Sequence, residues 1–440
     1  MFDLMILGGG PGGYTAALES VKLGKKVLII EEDEMGGVCL NKGCIPTKSL
    51  LNSAKTFKKS VHSEHIGVVN SLSTFKFDKA MEWKNLAVTD IRNSLISLLK
   101  QKGIEIVKGH GVILDKNRIQ VEQKIYSGEF ILISTGSRPS VPKIKGISSK
   151  NVLSTTQILE LKKIPESITI IGGGVIGVEF ASIFSNIGVD VKILELSSNL
   201  IPNMEERLGK VLGKSLNAQI YLEAEVLEID SNRVFFKYKN NMEYIDSQYI
   251  LIATGRTPNC DEFKHLGIVN NGRVEVNDYF KTSINNIYAV GDVTGKTYLA
   301  HGAEQMAKFA INNIFFEPKI MNFNIIPSVI YSEPEVASVG LSIKQAKERD
   351  ISIVKNVLYL KSNGRYRVED GFDGGICIVI GDKDSHKILG IHIIGSGVSE
   401  IISIATIAIT EGYDFKRFQE IIFPHPTISE SIKDTIFNII

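Results

Sequence analysis

The sequence predicts an α/β protein: two Rossmann-like dinucleotide-binding domains in series, followed by a C-terminal α+β domain. Three observations predict it. A glycine-rich strand-to-helix fingerprint opens the chain and recurs from Gly172. Each copy is followed by an acid 23 positions after its first glycine, at Glu31 and at Glu195. Beyond Glu275 the pattern changes to alternating strands and turns.

The first copy reads Met5-Ile6-Leu7-Gly8-Gly9-Gly10-Pro11-Gly12-Gly13, an apolar strand running into a helix start. Its second strand is Val27-Leu28-Ile29-Ile30-Glu31. The second copy, Ile170-Ile171-Gly172-Gly173-Gly174-Val175-Ile176-Gly177, leads to Val191-Lys192-Ile193-Leu194-Glu195. A further echo pairs Thr135-Gly136-Ser137-Arg138-Pro139 with Thr254-Gly255-Arg256-Thr257-Pro258. Residues 1–149 and 150–275 are therefore read as two nucleotide-binding domains, with a segment 276–324 and a last domain 325–440. In the segment, Ile287 to Asp292 reads as a strand ending in an acid, and a helix pattern runs from His301 to Asn313. The last domain shows helical stretches near 342–348, 397–412 and 427–437.

Each glycine in the fingerprint has a physical task. Gly8 and Gly172 permit the tight turn. Gly10 and Gly174, with Pro11 or Val175 and Ile176 beginning the helix, let a pyrophosphate approach the positive helix end. Gly13 and Gly177 let helix and strand pack closely. Glu31 and Glu195 suit ribose hydroxyls. Glu195 is followed by Leu196-Ser197-Ser198-Asn199, with no cation to receive a 2′-phosphate, so the second domain is read as binding NAD rather than NADP.

Between the first fingerprint and the rest of its domain lies Gly36-Gly37-Val38-Cys39-Leu40-Asn41-Lys42-Gly43-Cys44-Ile45-Pro46-Thr47-Lys48. Two cysteines here read as a redox dithiol. Half of a metal site and two buried small hydrophobes are the competing readings; the other cysteines, Cys260 and Cys377, stand in unrelated contexts. The glycines make the segment a turn, and Pro46 suits the first turn of a new helix, which puts Cys44 at a helix N-terminus where the dipole favours thiolate. Near the C-terminus, Phe423-Pro424-His425-Pro426-Thr427-Ile428-Ser429-Glu430 admits two equal readings. His425 is an acid–base oriented by Glu430, or Thr427 and Glu430 form a capping box and His425 is a surface residue.

A net charge of +1 offers no basic field for nucleic acid or an anionic membrane. Four cysteines among 440 residues are too few for a secreted disulfide scaffold, which favours a reducing compartment. No basic and apolar leader precedes Gly8, and the apolar runs fall short of the roughly 20 residues of a membrane span. The expected location is cytoplasmic.

Taken together, these motifs resemble the dihydrolipoamide dehydrogenases among the FAD-dependent pyridine nucleotide–disulfide oxidoreductases, over essentially the whole chain. The resemblance implies FAD in the first domain, NAD in the second, and a homodimer joined through the C-terminal domain. It implies that 276–324 completes the FAD site, with Asp292 at its ribityl or pyrophosphate end and Gly111, Thr135, Gly136, Ser137, Leu299, Ala300 and His301 along the flavin. Val226, Gly255 and Arg256 join the cofactor-binding set. Lys48 sits by the flavin N5 and pairs with Glu179. Cys39 is the thiol that meets substrate, Cys44 faces the flavin, and His425 with Glu430 is the base, reaching the dithiol from the other subunit. The His425–Pro426 bond is implied to be cis. The implied partner is a lipoyl-bearing protein of a 2-oxoacid dehydrogenase or glycine cleavage complex. Pro424 and Ser134 stand where the family commonly has alanine. An NADH-dependent reductase of another small disulfide is the enzymatic alternative. A non-catalytic redox-sensing or structural subunit is the alternative of a different class.

Overall fold

The computed structural model describes residues 1–70, 73–369 and 374–439. They fall into two compact units. The first comprises Met1–Leu50, Phe77–Ser140 and Gly255–Met321. The second comprises Leu51–Lys76, Val141–Thr254 and Asn322–Ile440.

The first unit is built on a seven-stranded sheet. Phe2–Leu7 lies at its centre, parallel to Val27–Glu31 on one side and to Lys124–Ile133 on the other. Leu4, Met5 and Ile6 are wholly buried, as are Leu28 and Ile29, which is why these strands read as unbroken apolar runs. The long strand Lys124–Ile133 has different partners along its length. Its first half pairs antiparallel with Arg118–Val121. Its second half, from Gly128, pairs parallel with Phe2–Leu7 and, from Ile131, with Ile287–Ala289. Helices Pro11–Lys22 and Ala300–Phe315 pack together, and the Tyr14 hydroxyl donates to Glu304 across them at 2.9 Å.

In the second unit, a five-stranded parallel sheet runs Gln219–Leu222, Asp190–Glu195, Ser167–Ile171, Tyr249–Ile252, Val152–Ser154. A three-stranded antiparallel sheet, Glu225–Asp230, Arg233–Tyr238 and Asn241–Asp246, lies between its strands in the chain. A separate five-stranded antiparallel sheet carries Glu335–Gly340, Ile388–Gly395 and Ile376–Asp382 in its interior. Helix Val398–Thr410 covers its inner strands through Ile402 and Ala405. Helix Glu430–Phe437 is anchored by the wholly buried Ile432 and Ile436, and that fixes the turn preceding it.

The helices anticipated near 301–313, 342–348, 397–412 and 427–437 appear as Ala300–Phe315, Ile343–Glu348, Val398–Thr410 and Glu430–Phe437. The last starts three residues later than expected because residues 423–428 form a turn stabilised by side chains. One local expectation changes. Cys39 does not lie in an open turn: Gly36 and Gly37, with φ +96° and +62°, reverse the chain, and Gly37–Lys42 then closes into a short helix. Among the described residues, no helix is long and apolar enough to cross a membrane.

Candidate active site

The two fingerprints fold alike, each within its own unit. Gly8 and Gly172 take φ +98° and +111°, which only glycine adopts without strain, and turn each strand into its helix. Gly10 and Gly174 cap the helices with backbone angles of −74°/−172° and −76°/−173°. Neither cap has a side chain, and no acid occupies either first turn, so the first amides of each helix remain available to an anion. A Cβ on Gly174 would meet nothing within 4 Å, and one on Gly10 only the Gly37 Cα at 3.7 Å. The space a pyrophosphate requires is thus present at both sites. By contrast, a Cβ on Gly13 would run into the Gly8 carbonyl, and one on Gly177 into that of Gly172. Gly13→Ala is therefore expected to push the helix off its strand, costing about 1–3 kcal/mol and lowering the flavin content of purified protein. Full flavin content at unchanged thermal stability would contradict this.

The acids also match. Glu31 accepts from the Gly9 N–H at 2.6 Å and the Asp33 N–H at 2.8 Å. Glu195 accepts from the Gly173 N–H at 2.5 Å and the Ser197 N–H at 2.7 Å. Each carboxylate braces its glycine turn, and its oxygens have lone pairs beyond those two bonds. Burial pushes the Glu31 carboxyl up, and the Asp33 and Gly9 amides pull it back.

Around the first fingerprint, Asp292 accepts from the Ser137 hydroxyl. Arg256 donates through Nε to Ser137 Oγ at 2.7 Å and through Nη2 to its carbonyl at 2.6 Å, and lies 3.7 Å from Asp292. Burial raises the Asp292 carboxyl. The Thr135 hydroxyl donates to the Asn259 carbonyl at 2.8 Å, and the Gly136 carbonyl accepts from the Asn259 amide at 2.9 Å. The Gly255 carbonyl accepts from the Ser140 amide. Gly111 begins a strand beneath Leu7 and Ile30. Leu299 caps the helix that Ala300 and His301 begin. In the second unit, Val226 pairs opposite Phe236 on the three-stranded sheet.

Cys39 and Cys44 are joined by a disulfide, with Cα atoms 4.7 Å apart. Among the described residues, no group of His, Cys, Asp and Glu is arranged to hold a metal ion. Cys44 is the first residue of helix Cys44–Val61, and Lys48 lies one turn further on. The disulfide segment is tied directly to the first fingerprint. The Gly36 N–H donates to the Gly9 carbonyl at 2.9 Å, and a Cβ on Gly37 would lie 2.7 Å from the Gly10 Cα. This contact places a dithiol beside a nucleotide site. The free cysteines differ: both are buried, and burial pushes the Cys377 thiol up to about 12.

Within the second unit, Glu179 is buried on the second fingerprint helix and accepts from the Tyr331 N–H at 3.0 Å. His425 Nδ1 lies 3.2 Å from both oxygens of Glu430. A carboxylate only accepts, so Nδ1 donates to Glu430, and in the neutral imidazole the lone pair is then on Nε2. Glu430 also accepts from the Thr427 N–H at 3.0 Å, so the capping and orienting roles coexist in one carboxylate. That amide, then His425 and Lys433, hold the Glu430 carboxyl below the usual carboxylate range. The Asn363 amide donates to the Thr427 carbonyl at 2.9 Å and steadies the turn. The His425–Pro426 bond is cis.

A disulfide seated on one of two dinucleotide folds defines a flavin- and NAD-dependent disulfide oxidoreductase. The chain belongs to the pyridine nucleotide–disulphide oxidoreductase family: residues 2–307 match its model, and residues 326–436 match the model of its dimerisation domain. Its cofactors are FAD and NAD. It is 34% identical to a dihydrolipoyl dehydrogenase of Bacillus subtilis, over 97% of this chain and 94% of the relative. It is 33% identical to that of Mycoplasma pneumoniae, over 98% and 97%. Among solved structures it resembles the HOCl-induced flavoprotein disulfide reductase RclA from Escherichia coli, with a TM-score of 0.88 at 28% identity and 100% of each chain covered.

Proposed function

We propose that the chain oxidises protein-bound dihydrolipoyl groups to lipoyl and passes the electrons to NAD. The observation that carries this reading is the Cys39–Cys44 disulfide on a segment whose Gly36 N–H donates to the Gly9 carbonyl of the first fingerprint. The names and near full-length coverage of the relatives support the lipoyl substrate.

The chain's residues perform the thiol exchange. A substrate thiolate attacks Cys39 Sγ, the bond to Cys44 breaks, and Cys44 leaves as a thiolate favoured by its helix N-terminus. The second substrate thiol, losing its proton to His425, attacks the substrate sulfur joined to Cys39; that sulfur–sulfur bond breaks, lipoyl departs, and Cys39 takes the proton from His425 and is left as a thiol. The helix amides of the first fingerprint, Glu31 and Asp292 would hold FAD there, and when bound it would supply two-electron transfer between the dithiol and NAD. Lys48 is assigned to the flavin's reactive edge, where a cation favours the reduced form, and Glu179 is assigned as its ion-pair partner. NAD is assigned to the second fingerprint, Val226 and Glu195. In this reading the enzyme is a cytoplasmic homodimer in which His425 serves the partner subunit's dithiol. We keep 1–149, 150–275, 276–324 and 325–440 as the functional domain limits.

Steady-state rates with dihydrolipoamide and NAD, against NADH with oxidised glutathione or other small disulfides, test the substrate. The likeness to RclA supports a second reading, an NADH-dependent disulfide reductase, and a higher kcat/KM for such a disulfide would select it. NAD is expected to be preferred to NADP. Glu195→Arg should shift the ratio of catalytic efficiencies toward NADP by at least tenfold; an unchanged ratio would contradict the role of Glu195.

A further inference from the structure

The helix that carries Cys39 has six residues, too few to hold itself together in water. While the disulfide is closed it is stapled to Cys44. Each turnover opens that bond, so something else must hold Cys39 in place. Asn41, two residues on, is built to do so. Its two Nδ2 hydrogens are shared among the carbonyls of Gly37 at 2.9 Å, Met35 at 3.0 Å and Glu34 at 3.3 Å, spanning the reversal that precedes the helix. Its Oδ1 accepts from Arg92 Nη1 at 3.1 Å. Arg92 lies on the 25-residue helix Phe77–Gln101, and its Nε lies 3.7 Å from Glu34 Oε2. Arg92 thus grips both Asn41 and the loop that Asn41 binds.

We propose that Asn41, anchored by Arg92, is a positioning residue that keeps the Cys39 thiol within closing distance of Cys44 in the reduced enzyme and so sets the stability of the disulfide. The clamp contains neither sulfur, so it persists when the bond is broken. Loss of the clamp frees the reduced segment, raises the entropic cost of closure and makes the disulfide easier to reduce. The proposal rests on the reading that Cys39–Cys44 is redox-active.

The test is a thiol–disulfide equilibrium of the FAD-loaded enzyme in glutathione buffers. In the exchange, two glutathione thiols become one glutathione disulfide while Cys39–Cys44 takes up two electrons and two protons. Asn41→Ala is expected to shift the equilibrium about tenfold toward the dithiol, equivalent to about 30 mV. Arg92→Met, which leaves Asn41 in place, is expected to shift it about threefold in the same direction. Adding Arg92→Met to Asn41→Ala should shift it by less than the threefold seen for Arg92→Met alone, because Arg92 acts in part through Asn41. Constants within 1.5-fold of the parent for both single variants would overturn the proposal, as would strictly additive shifts in the double variant. If Asn41→Ala does not retain flavin, Arg92→Met decides alone: a threefold shift supports the clamp and an unchanged constant refutes it. A parent protein whose disulfide glutathione never opens would instead refute the redox reading.

Discussion

His425→Gln is expected to lower the rate of dihydrolipoamide oxidation about 10²–10⁴-fold while FAD remains bound, the usual contribution of a general acid–base. The geometry says why. Glu430 holds the Nδ1–H, leaving Nε2 as the basic atom on a side chain 81% exposed and therefore open to an incoming thiol. Glutamine preserves much of the shape and a polar head but cannot accept a proton from a thiol. The carboxylate is secured independently by the Thr427 amide and the buried helix behind it, so the substitution leaves the turn intact. Glu430→Gln should cost less, because the imidazole survives with its tautomer no longer fixed. Steady-state kinetics with flavin content measured on the same samples checks both; a His425→Gln rate within a few-fold of the parent would remove His425 from the mechanism.

Cys44→Ser and Cys39→Ser are each expected to reduce lipoamide turnover to background. No disulfide forms with one sulfur missing, so electrons cannot pass through the pair to the flavin. Neither side chain holds the nucleotide fold, and the Gly36–Gly9 hydrogen bond is made by backbone, so flavin should stay bound. Cys260→Ser and Cys377→Ser are the controls. Both sulfurs are buried away from solvent with thiols pushed upward by burial, and their loss should leave turnover within a few-fold. Retained turnover in either active-site serine variant would refute the dithiol route.

Much of this site was legible because it is written locally. The turn glycines, the acids at Glu31 and Glu195 and the Cys39/Cys44 segment each sit within one strand–turn–helix stretch, and spacing alone carries their geometry. His425 and Glu430 are five residues apart, and only their double role escaped a choice between two readings. The parts that were not legible depend on packing between distant segments. Arg256 reaches Ser137 across 119 residues, and Arg92 reaches Asn41 across 51, with no periodic signal to mark either. The split partnership of Lys124–Ile133 is likewise set by which strands the fold brings alongside it. The short helix Gly37–Lys42 was hidden by its flanking glycines, which announce a turn but give no sign of a helix after it.

The most direct test of the dithiol cycle is to mix the FAD-loaded protein anaerobically with excess dihydrolipoamide, quench with a thiol-alkylating reagent, and map the labelled cysteines by mass spectrometry before and after adding NAD. Label is expected on both Cys39 and Cys44 without NAD, and loss of that label with formation of NADH when NAD is added after removal of the substrate. A Cys39–Cys44 bond that stays closed while NADH is produced would contradict it.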